Sequence, residues 1–434
     1  MSLFSSAGPE PEIAHLDPDA PPSIPPSARA AEGGRTPEEA DREWLIVKVT
    51  SLGHFLCHLG ELIFPGVMVA IHDEMQISRA ETADLAVLGY MLFGAGALPV
   101  GLWADRWDNR PILVIYFIAM AVAGVAVATA TTPLLLFVAL TFLGLATSMY
   151  HPVGLAMISL GVPAPRRGRA LGINGVSGSF GIALGPALGL AASWLGFWQA
   201  AYLCLAGLSA IAGIIACVDL RSLPKQWSAE PAPAGNEPVR FPPPRTLAPL
   251  VILLLVMLFA GFNYRCLMTA LPAYLSAGDH LILGGVYIFL ITLVGGSIGQ
   301  LLGGFLADRW GARRIYLFLV AALAPLSLLL GAGSEVNVAA AIAALLAIAM
   351  FAQQPVENSL LAECTSRGRR SVSYGVKFVL TFGVGALGAA VVGRIWQDFN
   401  SFNLVFYLMA AVSCLMIALL ALYLSRTRTA SENT

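Results

Sequence analysis

Long apolar runs separated by short polar breaks recur along nearly the whole chain. Each has the length that crosses a bilayer, about 20 mostly apolar residues for a hydrocarbon core of about 30 Å. Twelve are read, at positions 45–71, 82–103, 111–130, 133–160, 170–192 and 197–218, then 247–275, 281–305, 315–331, 336–361, 372–393 and 402–424. One such run can be the buried helix of a soluble protein. Twelve in series predict an all-α membrane protein with six spanning helices on either side of a central polar break.

Composition narrows the picture in the same direction. Of 434 residues, 57% are hydrophobic and 12% charged, with a mean hydropathy of +0.75. The water-facing surface of a soluble domain cannot be built from so few polar residues. The net charge of −1 conceals an asymmetry. With both termini and the even-numbered loops placed in the cytoplasm, every Lys and Arg falls on that side except Arg79, Arg394 and the intramembrane Arg265 and Lys377. Positive residues beside short loops are retained inside, so both termini are expected in the cytoplasm, with the bundle in a bacterial inner membrane. No basic patch asks for nucleic acid. The six cysteines lie in or at the ends of helices without metal-ligand spacing and read as free, buried thiols.

The polar connections carry a duplication. GLWADRWDNR, from Gly101 to Arg110, and GFLADRWGAR, from Gly304 to Arg313, lie 203 positions apart. The same offset matches His151-Pro152-Val153 to Gln354-Pro355-Val356, and Gly172 with Asn174 to Gly375 with Lys377. Two related bundles in tandem point to a transporter that holds its cargo between them near mid-membrane. The expected organisation is a tail at 1–44, a bundle at 45–219, a Pro-rich linker at 220–246, a second bundle at 247–425 and a short tail at 426–434. The first tail is rich in Pro, Ala and acid and lacks the basic start and apolar core of a signal peptide, which suits a disordered cytoplasmic segment. The linker repeats that chemistry with PAPAGNEP and FPPPR. One chain supplies both halves, which suits a monomer.

Ionisable residues inside spanning helices are costly, about 2.5–3.5 kcal/mol for a central charge on the insertion scale. Those present are therefore candidates for chemistry in a hydrated cavity. His54, His58 and Glu61 of the first helix fall within a sector of about 60°, at about 100° per residue. A carboxylate beside an imidazole can load and release a proton near neutral pH. Interhelical hydrogen bonding is the plainer use, and the same three side chains also offer ligands to a divalent metal. Arg265 of the seventh helix is a permanent cation that either pairs with Glu61 or Glu357 or meets an anionic cargo. Glu357 and Lys377 flank the loop joining the tenth and eleventh helices and are placed for a salt bridge, structural or gating, with Asn174 as the counterpart of Lys377 in the first half. His151 either stacks beside Pro152 or joins the proton path. Asp105 and Asp308 can accept bonds from nearby Arg residues or from helix N-terminal amides, contacts that exist only when helices are close. Gly181, Gly185 and Gly189 recur every fourth residue and make a smooth surface for close helix approach. Pro186 removes a backbone bond among them, which favours a bend at the interface between bundles.

These motifs carry a resemblance. Over essentially 45–424 the chain resembles the major facilitator superfamily, whose loop signature G-x-x-x-D-R-x-x-R fits at Gly101, Asp105, Arg106 and Arg110 and again at Gly304, Asp308, Arg309 and Arg313. The first copy departs by having Asn109 and Pro111 around Arg110. The pattern G-x-x-x-G-P-x-x-G at Gly181, Gly185, Pro186 and Gly189 looks like the antiporter signature of proton-coupled drug exporters in that superfamily. SMYHPVGLA followed by NGVSGSFGIALGPALG, with Gly53-His54 in the first helix, is similar to the fosmidomycin-resistance branch. That closer likeness covers the first, fourth and fifth helices well and the second half poorly. The resemblance implies that the loop signatures stabilise the cytoplasmically closed state, that the fifth-helix motif suppresses leak, and that a small phosphonate is a cargo of related exporters.

The combined reading is a secondary active transporter, not an enzyme, that works by proton-coupled antiport and exports a small anionic or amphiphilic molecule by alternating access. Neither Walker sequence occurs, so ATP is not the expected drive, and no cofactor is called for. One rival keeps the fold but carries a divalent metal of the iron type on His54, His58 and Glu61. Another is a membrane sensor or scaffold that moves nothing and acts through its N-terminal tail.

Overall fold

Twelve helices long and apolar enough to cross a membrane make up the computed structural model, which describes residues 36–223, 247–275, 289–333, 335–385 and 387–432. They are α1 (Pro37–Met75), α2 (Arg79–Ala104), α3 (Asn109–Ala128), α4 (Pro133–Gly161), α5 (Ala164–Trp194), α6 (Gln199–Ser222), α7 (Ala248–Leu275), α8 (Ile291–Trp310), α9 (Ala312–Gly331), α10 (Val336–Cys364), α11 (Arg367–Phe399) and α12 (Asn403–Arg426). On outward faces apolar side chains such as Ile118, Val122 and Val125 of α3 stay exposed at helical spacing. Helices apolar around most of their circumference are solvated by lipid on one side and by each other on the other.

Polar residues that hydropathy does not register set the helix ends. Ser78 and Glu81 form a reciprocal capping box at the start of α2, with Ser78 N–H donating to Glu81 Oε2 at 2.8 Å and Glu81 N–H to Ser78 Oγ at 3.2 Å. Thr36 and Glu39 do the same before α1, so that helix begins at Pro37 rather than at the expected 45. The segment expected as a tail from 426 also continues helical, to Glu432, since nothing in its polar sequence breaks a helix. Leu220–Ser222 closes α6 with a 3₁₀ turn. The tail over 1–35, the linker over 224–246 and the expected helical start at 281–288 lie outside the described residues.

Packing repeats the register of the duplication. In the first half α2 packs on α4 and α3 on α6; in the second α8 packs on α10 and α9 on α12. Between the halves, α5 packs on α8 and the end of α2 on α11. Single π-helical turns interrupt α8 at Ile291–Gly295 and α11 at Val379–Val384, the kind of irregularity that marks functional sites. Glycines let the crossing helices approach closely. A Cβ at Gly144 in α4 would run into the backbone of Gly89 in α2, whereas Gly207 in α6 faces open space. Gly144→Leu is expected to cost about 1–3 kcal/mol through overpacking, and Gly207→Ala to be neutral or slightly stabilising. Thermal unfolding of the purified variants checks both.

Candidate functional site

Helix α1 runs without a break through Pro65, so His54, His58 and Glu61 keep their one-sided spacing and all three line one central cavity of about 880 Å³. The same cavity is walled by His151 of α4, Arg265 of α7, Glu357 of α10 and Lys377 of α11. Every ionisable residue singled out within the spans therefore reaches a single space. That space extends past Leu190 and Pro272 to Trp194, 81% exposed at the end of the molecule opposite the signature loops.

In the first half the polar groups form a compact set. His54 donates from Nδ1 to the Asn174 carbonyl at 2.8 Å, and its ring stacks on Tyr150 with centroids 5.0 Å apart. Gly178 makes the room, because a Cβ there would stand 2.6 Å from the imidazole. His58 Nδ1 lies 2.8 Å from Glu61 Oε2 in a nearly buried pair. His151 stacks on Phe378 of α11 at 4.0 Å, with its Nε2 3.9 Å from Cys57 Sγ. One ring nitrogen from each of His54, His58 and His151 lies within 4.8 Å of the others. The metal ligand set read from sequence thus changes: Glu61 turns to His58, and the third ring is His151.

The second half holds a satisfied ion pair and an isolated cation. Lys377 Nζ lies 2.9 Å from Glu357 Oε2, both side chains 4% exposed. Lys377 also donates to Asn358 Oδ1 at 2.7 Å, and the Tyr316 hydroxyl donates to Glu357 Oε1 at 2.9 Å. Asn174 does not join this pair; its amide donates to the Tyr150 hydroxyl at 2.7 Å. The position equivalent to Glu357 in the first half is Gly154, so Asn174 has no carboxylate to meet. Arg265 has no ion pair or hydrogen bond among the described residues. Its two candidate carboxylates, Glu61 and Glu357, are taken by His58 and Lys377.

The signature loops meet the opposite half. Asp105 accepts from the amides of Ser371 at 2.8 Å and Val372 at 3.0 Å, in the first turn of a regular helical stretch of α11. Asp308 accepts from the amides of Gly168 and Arg169 in α5, both at 2.8 Å. Ser371 and Val372 are the 203-offset partners of Gly168 and Arg169, so the two contacts are one contact made twice. Burial pushes the Asp105 carboxyl above its ordinary pKa, and the two amides pull it back down. A Cβ at Gly101 would stand 2.6 Å from the Ser371 carbonyl, and one at Gly304 would meet the Gly168 carbonyl. Helix amides are therefore the main partners, joined at Asp308 by the Arg169 guanidinium, whose Nε lies 3.4 Å from Oδ2. Arg110 pairs with Asp108 and donates to the Leu223 carbonyl at 2.5 Å, Arg313 lies over the Tyr423 ring at 5.8 Å, and Arg106 and Arg309 are exposed.

The α5 motif faces elsewhere than expected. Gly181, Gly185 and Gly189 abut Phe55, Leu62 and Ile63 of α1, within their own half, while Pro186 lines the cavity. Gly168, Gly172 and Gly175 make the close approach to α8. Polar residues not singled out in the sequence complete the site: Tyr150, Tyr316, Asn358 and Gln300, whose amide donates to Gln354 Oε1 at 2.8 Å. Gln300 had a usable signal, because its counterpart at the duplication offset is Ala97. Tyr316 had none.

Two register-matched sets of membrane-length helices around a polar-walled cavity, shut at one end, make the architecture of a secondary transporter. The family model described as the Major Facilitator Superfamily matches residues 50–296 and 253–434, and the chain belongs to that superfamily. It is a multi-pass membrane protein that carries a small molecule and is not an enzyme. It is similar to the fosmidomycin resistance protein of Escherichia coli (strain K12), 26% identical over 397 residues that cover 88% of this chain and 93% of that protein. The solved structure of the proton:xylose symporter XylE matches with a TM-score of 0.71 at 15% identity, over 88% of this chain and 95% of that one. The human organic anion transporter MFSD10 (TETRAN) matches at 0.68 and 17%, over 89% and 100%.

The buried pair gives a direct test. Lys377→Met strands the Glu357 carboxylate and is expected to cost about 3–5 kcal/mol, while Lys377→Met with Glu357→Gln recovers most of the loss. A double-mutant cycle in chemical unfolding reads the coupling, and additive losses would refute the pairing.

Proposed function

We propose that the protein exchanges protons for a small anionic or amphiphilic molecule and exports it by alternating access. The carrying observation is the division of labour around the cavity. His58–Glu61 on one half is the pair read as accepting the proton, and Arg265 on the other is a guanidinium without an anionic partner among the described residues. A permanent cation facing water at membrane depth is costly to keep unpaired, and an anion in bidentate contact satisfies it. The signature end is taken as cytoplasmic from the basic residues beside its loops, and with it both termini. In this state the cavity then faces outward, where the proton would load and the cargo leave. His151 and the Glu357–Lys377 pair line the cavity wall, in the parts of α4, α10 and α11 nearer the signature loops, on the route that must open to the cytoplasm. The likeness to a fosmidomycin resistance protein and to an organic anion transporter supports this cargo class.

Charge alone would make proton and anion bind together, since loading His58 or Glu61 makes the cavity more positive. Antiport therefore requires the body of the cargo to compete for the space beside the loaded pair, so that each ligand lowers the affinity for the other. An amphiphilic cargo packed against His58, Phe382 and Leu62 on the cavity wall meets that requirement.

Two variants separate the roles, both in proteoliposomes with an imposed pH gradient. Glu61→Gln is expected to lose pH-driven exchange while still binding cargo; unchanged exchange would remove Glu61 from the proton step. Arg265→Lys keeps the charge and loses the fork, so binding of a phosphonate or carboxylate probe is expected to weaken about tenfold, near 1.4 kcal/mol. Equal affinity in a titration of the two proteins rules out bidentate recognition.

A further inference from the structure

Half of the six histidines in the chain meet at one place on the cavity wall, two from α1 and one from α4. All three are buried and each lines the cavity. A backbone carbonyl and an ionised carboxylate only accept hydrogen bonds. The Nδ1 of His54, held by the Asn174 carbonyl, and the Nδ1 of His58, held by Glu61, therefore carry the hydrogens, and the two Nε2 lone pairs are left free. A ring N–H anchored by a carbonyl or a carboxylate is the outer shell that orients metal-bound histidine. His151 adds a third ring whose Nδ1 is buried with no hydrogen-bond partner among the described residues.

The spacing fits as well. Ring centroids are 5.0, 5.2 and 5.3 Å apart. Three imidazoles on one tetrahedral ion, at about 2.0–2.1 Å from metal to nitrogen, place their centroids about 5.2 Å apart. One ring nitrogen of each histidine lies within 4.8 Å of the others, against about 3.4 Å around such an ion, so the three rings must draw closer on binding. Gly178 leaves the His54 ring without a Cβ behind it.

We infer that His54, His58 and His151 bind a divalent transition-metal ion through three imidazole nitrogens, with Glu61 as an outer-shell carboxylate and the fourth position open to the cavity. Neutral imidazoles select zinc, copper, nickel or cobalt over magnesium and calcium, and the Glu61 charge offsets part of the ion's own. The inference does not rest on the identity of the cargo or on the direction of transport, although the site shares His58 and Glu61 with the proposed proton step.

Cobalt(II) chloride titrated into the full-length, tag-free protein in detergent tests it. Expected are the visible bands of tetrahedral, nitrogen-bound cobalt at one ion per chain, displaced by zinc. His54→Gln, His58→Gln and His151→Gln each lose the bands, and Glu61→Gln weakens binding about 10- to 100-fold. His72→Gln, on the same helix but outside the cluster, keeps them. X-ray absorption of the zinc-loaded parent reports the imidazole shell even where a variant fails to fold. The inference is overturned by absence of the bands at millimolar cobalt, by bands that survive His151→Gln, or by an all-oxygen shell. Exchange measured in proteoliposomes with a chelator present is unaffected by any of these outcomes, so failure here and failure of the transport reading are told apart.

Discussion

A charge at membrane depth must be paired, neutralised or wetted, and the interior of this protein is arranged around that constraint. Seven ionisable side chains from five helices converge on one cavity. Two of the potential charges on α1 meet as His58 and Glu61, and two in the second half meet as Glu357 and Lys377. Among the described residues Arg265 is left without an ion pair, and it faces the cavity. Scattered toward lipid, the same residues would oppose insertion of every helix that carries them. Gathered on one space, they define a hydrated passage.

The closed end rests on a different economy of contacts. Each signature aspartate gives both oxygens to two consecutive amides of a helix in the opposite half. Ser371 and Val372 sit in the first turn of their helical stretch, where N–H groups lack intrahelical partners, and Gly168 and Arg169 lie in the second turn of α5, where the dipole still favours a negative charge. Gly101 and Gly304 keep the backbones close enough for the carboxylates to reach. None of these bonds can survive separation of the halves, so water must replace them whenever that end opens. Because water does so at little net cost, the clasp stabilises closure without locking it.

How much was legible in the sequence follows from which physical signals are local. The spans were, because hydropathy over 20 residues is a property of the segment itself, and so was the helical sector joining His54, His58 and Glu61. Helix ends were less so: the polar first turn of α1 is fixed by Thr36 and Glu39, not by apolar character. The Glu357–Lys377 contact between helices was legible because both side chains flank one short loop. The offset of 203 makes the Asp105–Ser371 and Asp308–Gly168 contacts equivalent, but which amides the aspartates meet was not written in it. The rotation of α5 could not be read either, since glycines at 168, 172, 175, 178, 181, 185 and 189 offer smooth surface on more than one face. The structure shows different members meeting α8 and α1. His151 joined the cluster by tertiary packing of α4 on α1, which no spacing within either helix encodes.

The two halves differ most where they face the cavity, and that asymmetry makes coupling possible. At equivalent positions one half has His151 and Asn174 where the other has Gln354 and Lys377. The His58–Glu61 pair is internal to α1 and belongs to the first half. The Arg265 guanidinium belongs to α7 and the second half. Rocking of the halves therefore changes the distance and the water between them while leaving each group's own support intact. A ligand touching both halves feels that change, and a ligand held by one half alone does not. On the proposed exchange, differential affinity between states comes to a cargo that spans the seam between His58 and Arg265.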